Sequence, residues 1–390
     1  MNKWGDGARH SGAPRPSTTC HPALPPSRMF NGPVVGRRRE EPRLATRPRA
    51  SPLSQVSEGF PASEIEAAFT EVLHRVGLRV EGRPLMDGAL HRAPVEGDRG
   101  RQRSGAYVGH LDAWPAGYVR NHRTGVEERW RADAPRTLRP AERAALAREA
   151  AAVAARRTRA RMEGQRRAAR LAARMWEAAT PAASHPYLTA KGVGPHGLRV
   201  DRLGRLLVPV ADVDGQLWGF QRIGPDGSKL FLTGARIDGG HMLLGQLAPG
   251  APLIVAEGFA TAATLREATG HAVAVAFNAH NLEAVARAYR ARDAARPIVV
   301  AGDDDRHLPL RRPPLPNVGR ERAEAAAAAV RGVAVFPAFR TGECGTDWND
   351  LSRLRPAAVV EAVAGALGQE PVGIEGGVNG SPSDLTNQTP

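Results

Sequence analysis

From residue 252 onward, short continuous apolar runs alternate with stretches of helical periodicity. Residues 253–256, 272–277, 297–301 and 333–336 read as strands, and 259–268, 281–291, 319–331 and 356–366 as helices. Such alternation predicts a parallel α/β sheet with right-handed crossovers. Residues 184–250 read differently. Leu206-Leu207-Val208-Pro209-Val210, Leu217-Trp218-Gly219-Phe220-Gln221 and Lys229-Leu230-Phe231-Leu232 are strand-like, joined by Asp212-Val213-Asp214-Gly215 and Pro225-Asp226-Gly227. These are hairpins. Arg222 and Lys229 flank the second turn, and the pattern predicts that both project on one side.

Further upstream, Ala106-Tyr107-Val108, Gly117-Tyr118-Val119 and Glu128-Arg129-Trp130 predict a small antiparallel meander. Between meander and hairpins, an Ala/Arg-rich stretch opens at Pro140 and runs to about Ala179. It is helical by propensity, and about 38 residues of helix would span about 57 Å. Its large apolar residues (Leu146, Val153, Met162, Leu171, Met175) are sparse, which predicts a linker or strut rather than a core element. Ser63 and Glu66 have capping-box spacing ahead of Ile65, Phe69, Val72 and Leu73, so a short amphipathic helix is expected to end at Gly77. Residues 1–58 and the last twenty or so lack any apolar period and read as disordered.

The expected organisation is therefore a basic N-terminus (1–58), a small α+β module (59–135), an Arg/Ala-rich helical linker (136–180), a β-rich piece (181–250), an α/β domain (251–369) and a tail (370–390). Met29 offers an alternative start, which leaves open whether 1–58 belongs to the native protein.

Charge adds a partner class. The chain of 390 residues carries a net charge of +14. Residues 1–55 hold ten Lys/Arg against three acids, and 136–176 hold twelve Arg against three Glu. The remainder is close to neutral, so basicity belongs to two appendages. That fits a phosphate-rich partner such as DNA or RNA; a solvated basic surface would look the same. Two cysteines, Cys20 and Cys344, are too few for a disulfide framework or a zinc ribbon. No stretch has the ~18 apolar residues of a membrane span, and no secretory signal is apparent. A cytoplasmic protein without membrane contact is expected.

The candidate chemistry lies where strand-like runs end in acid. The run 253–256 is followed by Glu257, and 297–301 by Gly302-Asp303-Asp304-Asp305. In an open parallel sheet, ligand sites lie at the carboxyl ends of the strands. Two carboxylates ~4 Å apart at an effective dielectric of about 20 repel by roughly 4 kcal/mol, which a cation or protonation relieves. An all-oxygen donor set favours Mg²⁺ or Mn²⁺ over zinc, and with it phosphoryl or nucleotidyl transfer. A solvated acidic turn is the alternative for Asp303–Asp305 alone; its pairing with Glu257 favours a site.

These residues resemble a known family. Glu257-Gly258-Phe259-Ala260-Thr261-Ala262 is similar to the EGYATA-type signature of plasmid and phage DNA primases with a Toprim domain. Asp303-Asp304-Asp305 resembles that domain's D-x-D element, and Thr346-Asp347-Trp348-Asn349-Asp350-Leu351 its closing acidic motif. Phe277-Asn278-Ala279 resembles the family's Asn-containing turn. His185-Pro186-Tyr187-Leu188 with Lys191-Gly192, and Pro225-Asp226-Gly227 with Lys229, resemble the module that precedes Toprim in conjugative plasmid primases. The resemblance covers roughly residues 80 to 370. It departs at Phe259 (commonly Tyr), at His280 (commonly small) and in a Pro/Arg-rich insert from Arg306 to Pro316.

The resemblance implies a C-terminal Toprim domain and a primase that makes short RNA primers on single-stranded DNA. Glu257 would act in nucleotidyl transfer, as the general base or through a metal-bound water; Glu257, Asp303 and Asp305 would hold Mg²⁺ or Mn²⁺, with Asp347 or Asp350 helping. Lys191, Arg222, Lys229 and Asn278 are candidates for nucleotide or template. No zinc is expected, since no Cys/His module is present. No G-x-x-x-x-G-K-[ST] loop is present either, so a separate helicase or conjugation partner is implied. Alternatives are a Toprim-type nuclease and a non-catalytic single-stranded DNA-binding accessory protein. A topoisomerase would need a positioned tyrosine, and only Tyr107, Tyr118, Tyr187 and Tyr289 exist.

Overall fold

The computed structural model describes residues 61–369 except 113, 134–138 and 311–313. The expectations for 1–58 and 370–390 lie outside these residues, as does part of the Arg306–Pro316 insert.

Among the described residues the first element is α1 (Ala62–Arg75), followed by β1 (His91–Ala93), β2 (Gly105–His110), β3 (Ala116–Asn121) and β4 (Glu127–Arg131). The four strands form an antiparallel sheet in that order. Ile65, Phe69, Val72 and Leu73 of α1 are buried against it. A Cβ at Gly117 would stand 2.3 Å from the Phe69 ring, so only glycine lets the helix lie this close. The expected Ser63–Glu66 capping box does not form. Pro61 is the N-cap, without a side-chain cap bond, because the helix starts early enough to place Ser63 inside its first turn. Glu66 instead pairs with Arg83. β1 was not anticipated.

Helix α2 (Pro140–Glu177) is one uninterrupted 38-residue helix. The expectation of an uncommitted strut is corrected at its C-terminal third. There Ala168, Ala169 and Ala172 are buried. Trp176 stacks on Phe220 with centroids 5.8 Å apart, and Ala172 shares a core with Leu207, Phe220 and Leu232.

Next come β5 (Thr180–Pro181), α3 (Pro186–Lys191), β6 (Arg199–Val200), β7 (Leu206–Ala211), β8 (Leu217–Ile223) and β9 (Lys229–Phe231), the strands forming an antiparallel sheet in sequence order. The register pairs Ile223 with Lys229 and Arg222 with Leu230. Directly opposed residues share a face and neighbours along a strand do not. Arg222 and Lys229 therefore project to opposite sides, which corrects the expectation that they share one.

The final sheet contains β10 (Met242–Leu244), β11 (Leu253–Ala256), β12 (Ala272–Val275), β13 (Ile298–Ala301) and β14 (Val333–Val335) in the order β10-β12-β11-β13-β14. Its last four strands are mutually parallel, as expected. β10, from the stretch assigned to the preceding β-rich piece, adds antiparallel to β12. The connecting helices are α4 (Phe259–Thr269), α5 (Leu282–Arg292), α6 (Val318–Ala329), a short unanticipated α7 (Trp348–Leu354) and α8 (Pro356–Leu367).

Strands β11, β12 and β13 are buried throughout, the mark of a parallel sheet covered on both faces. Ile254, Ala256, Val273, Val275, Val299 and Ala301 meet α4, α8 and the antiparallel sheet's Leu206, Val208 and Ile223 in one core. Leu253, Val255, Ala272, Ala274, Ile298 and Val300 meet α5 and α6 in another. The two sheets thus share a core, which brings β9 to the rim of the parallel sheet.

Phe220→Ala should lower unfolding stability by about 3–5 kcal/mol, whereas Met162→Ala, on an exposed face of the same helix, should stay within roughly ±0.5 kcal/mol. Denaturant titration of both variants checks this; equal effects would return α2 to a strut.

Candidate functional site

Strand order reverses beside β11. β12 lies on one side of it and β13 on the other, which makes the β11/β13 edge a switch point where a crevice opens. Ala256 is in register with Ala301, so Glu257 and Gly302 leave the sheet together and Asp303 lies one residue beyond. Gly302 is required there: a Cβ would stand 2.6 Å from both the Ala323 Cβ and the Phe336 ring.

Two bonds fix the third acidic segment against this edge. The indole Nε1 of Trp348, fully buried, donates to the Gly302 carbonyl at 3.0 Å, and Asp304 N donates to Thr346 O at 2.8 Å. Asp347 consequently arrives at the N-terminus of α7, where its Oδ1 caps Asp350 N at 2.7 Å.

Asp305 and Asp347 act electrostatically on both Glu257 and Asp303, and Glu257 acts on Asp303. Burial first, and Asp305 second, raise the Glu257 carboxyl to about 7, while Lys229 and the backbone N–H of Ala279 pull it down. Burial and the Glu257, Asp347 and Asp305 charges hold Asp303 well above the usual carboxylate range. Asp303 Oδ1 is buried without a hydrogen-bond partner. The opposing charge is Lys229 on β9, whose ammonium is depressed by burial and supported by Glu257, Asp303 and Asp347. It lies 5.6 Å from the Tyr187 ring centroid. Lys191, the last residue of α3, places its Nζ 3.8 Å from Asp347 Oδ2.

Other candidates are placed differently. Asp350 turns its Oδ2 back to Thr346 N at 3.1 Å and is not among the charges acting on the cluster. Asp304, the middle acid, is held by Asn317 and Arg320 at the start of α6. Arg222 has Arg205 and Asp201 as its electrostatic neighbours, not the acidic cluster, and its Nε is buried without a partner. Asn278 is half-buried at the start of the 3₁₀ turn Ala279–Asn281, where its side chain makes no cap bond. Preceding it, Phe277 sits at φ +70°, a genuine outlier for a bulky residue, with its ring edge-on to Phe231 at 5.8 Å. His185 is structural: its Nδ1 accepts from Tyr187 N and its Nε2 donates to Gly204 O.

No group of three or more Asp, Glu, His or Cys among the described residues is arranged to hold a metal ion as it stands. The donor chemistry nevertheless fits a divalent cation. The oxygens are hard and the acids repel one another, and Asp303 Oδ1 is buried without a partner.

One cluster escaped the sequence reading. Arg92, Ala106, Arg120 and Glu127 pair in one row across β1–β4, on the face opposite Phe69. Tyr118, two residues from Arg120, donates its hydroxyl to Glu127 at 2.8 Å. His122 feels Arg92, Arg120 and His280, and His280 feels Arg120 and Arg322. The meander's basic face therefore looks toward the turn that supports Glu257. The period-two series Tyr118-x-Arg120-x-His122 was the available signal.

Residues 252–358 match the Toprim domain family, so the C-terminal part of the chain is a Toprim domain. Two Escherichia coli proteins named DNA primase TraC are similar over most of the chain. One is 41% identical over 292 residues, covering 73% of this chain and 27% of that protein. The other is 39% identical over 313 residues, covering 77% and 21%. The chain thus spans about a quarter of the length of the curated relatives it matches. A solved structure of the DnaG catalytic core aligns at 18% identity over 45% of this chain and 62% of that one, with a TM-score of 0.29.

Two outcomes are expected. Asp303→Asn should raise the stability of the chelator-treated protein at pH 8 by roughly 1 kcal/mol or more, since it removes a like charge; a lowered melting temperature would contradict the repulsion. Burial and neighbouring guanidinium groups push His122 and His280 down to about 4, so the unfolded chain takes protons that the folded chain refuses. The stability these residues contribute is present above about pH 6.5 and lost as pH falls toward 4. Both rings are partly open to solvent, so the effect is modest. The double change His122→Asn, His280→Asn should shrink the drop in melting temperature between pH 7 and pH 5.

Proposed function

We propose that this chain carries the catalytic part of a DNA primase that synthesises short RNA primers on single-stranded DNA by Mg²⁺- or Mn²⁺-dependent nucleotidyl transfer. The observation carrying this reading is the collection of Glu257, Asp303, Asp305 and Asp347 at one switch point, opposed by Lys229. The similarity to DNA primase TraC supports it.

Asp303, Asp305 and Asp347 would hold the cation, which, when bound, stabilises charge developing on phosphoryl oxygens. Glu257, steadied by the Ala279 N–H, would accept the proton of the attacking 3′ hydroxyl, a role suited to a carboxylate tuned toward neutrality. Lys229 and Lys191 would meet the triphosphate as point charges. The row Arg92–Arg120 with Tyr118 and His122 would carry template, combining cationic groups with an aromatic ring. Asp350, engaged with Thr346 N, would shape the loop rather than ligate. A separate helicase or conjugation protein would supply strand opening.

Primer synthesis on single-stranded DNA with labelled ribonucleotides and Mg²⁺ is the test. Wild type should yield short oligoribonucleotides, and Glu257→Gln should lose activity by about 10²-fold or more. Template degradation in place of synthesis would move the reading to a nuclease. DNA binding with no product from the wild type would leave an accessory binder.

A further inference from the structure

Helix α2 has a face that neither the acidic cluster nor the basic row of the meander uses. A helix turns by about 100° per residue. On that wheel Arg156, Arg159, Arg167, Arg170 and Arg174 fall within an arc of about 80° and span about 27 Å of the axis. All five are exposed. Ala168, Ala169 and Ala172, which bury the C-terminal third of the helix, lie on the opposite side. Between Arg156 and Arg174, Glu163 is the only acid on the arc. None of the five arginines pairs with an acid among the described residues, whereas Arg157, turned off this face, pairs with Asp112 just beyond β2. A face that serves solubility alone mixes both signs; this one is a row of like charges without counter-ions, and it calls for a polyanion.

Two features of the face choose among polyanions. It carries no aromatic side chain: Trp176 is stacked on Phe220, with the Arg199 guanidinium over its ring. Single strands are held by stacking of bases on aromatic rings as well as by charge, and this face offers charge alone. A duplex presents its phosphates outward, one per about 1.7 Å of axis, so about 16 lie along 27 Å. The face is also straight and preorganised. It belongs to one uninterrupted helix with Leu146 and Val153 buried in its first half and Ala172 in its last third, so little ordering is left for binding to supply. We propose that the Arg156–Arg174 face of α2 binds the phosphate backbone of double-stranded DNA, without reading its sequence, at a surface separate from the acidic cluster. The Arg157–Asp112 pair lays α2 against the meander. A chain taking single strand along Arg92–Arg120 and duplex along α2 would sit where the two meet; that placement rests on the primase reading, and the duplex contact does not.

The test is fluorescence anisotropy of the purified full chain with a labelled DNA duplex and with the matching single strand, in chelator and across a range of NaCl. The double change Arg167→Gln, Arg170→Gln should flatten the duplex slope of log Kobs against log[salt] by about 2 and weaken binding about tenfold or more near 0.1 M salt. The pair Arg143→Gln, Arg161→Gln removes the same charge from exposed positions on the far side of the helix and should leave duplex binding within about twofold. Single-strand affinity should change little with either pair. Arg156→Gln, Arg174→Gln repeats the test from the ends of the row should the first pair fail to fold. Equal losses from the two faces would overturn the proposal, leaving net charge as the cause. So would a loss on single strand as large as on duplex, or competition by polyglutamate as effective as by unlabelled duplex at equal charge. Absence of salt-dependent duplex binding by the wild type would overturn it outright.

Discussion

Four carboxylates compressed against one another at the mouth of the β11/β13 edge set the terms for everything around them. Apolar strands and backbone bonds hold them there, not attraction between the acids. The run Leu253–Ala256 is locked in register with Ile298–Ala301, and the Trp348–Gly302 bond brings in the third segment. Packing energy of the two cores is thus spent on keeping like charges close. Glu257 and Asp303 respond by holding their protons more tightly.

The antiparallel sheet gains its purpose from the same constraint. Its β9 carries Lys229 onto the rim, and its Leu206, Val208 and Ile223 share a core with β11, β12 and β13. Were the two sheets independent bodies, Lys229 could drift from the carboxylates and the repulsion would go unopposed. Phe277, strained at positive φ, links the pieces further: it contacts Phe231 on β9 and precedes the turn whose amide steadies Glu257. Strain of this kind persists where surrounding structure over-determines it.

Which parts could be read from sequence follows from how local each signal is. Glu257 and Asp303 end continuous apolar runs, so their placement at strand ends is a local fact, and the parallel sheet followed from strand–helix alternation. Arg222 and Lys229 were misjudged because facing depends on the register across the Gly224–Ser228 turn, closed by the Gly224 N to Ser228 O bond, and a one-residue difference reverses a face. The packing of α2 was understated because Ala168, Ala169 and Ala172 supply much of it beside Met175 and Trp176, and a count of large apolar residues passes over alanine. Asp350 Oδ2 accepts from Thr346 N, a contact that its place in an acidic motif does not reveal. The basic row of the meander needed cross-strand pairing, which no single strand reveals.

Formal charge at the site can be carried one step further. Glu257, Asp303, Asp305 and Asp347 bring four negative charges, and Lys229 and Lys191 return two positive ones. The excess of two equals the charge of one divalent cation, or of two protons. The raised carboxyls of Glu257 and Asp303 are the proton form of that balance. Cation binding must therefore release protons, because ligands have to be ionised to bind, and Lys229 and Lys191 must share carboxylates they otherwise neutralise. A compact ammonium on a flexible stem can make that adjustment, whereas a planar guanidinium fixed in a fork could not follow as readily. Lys229 is placed for this by a short edge strand that buries it within the field of the acids.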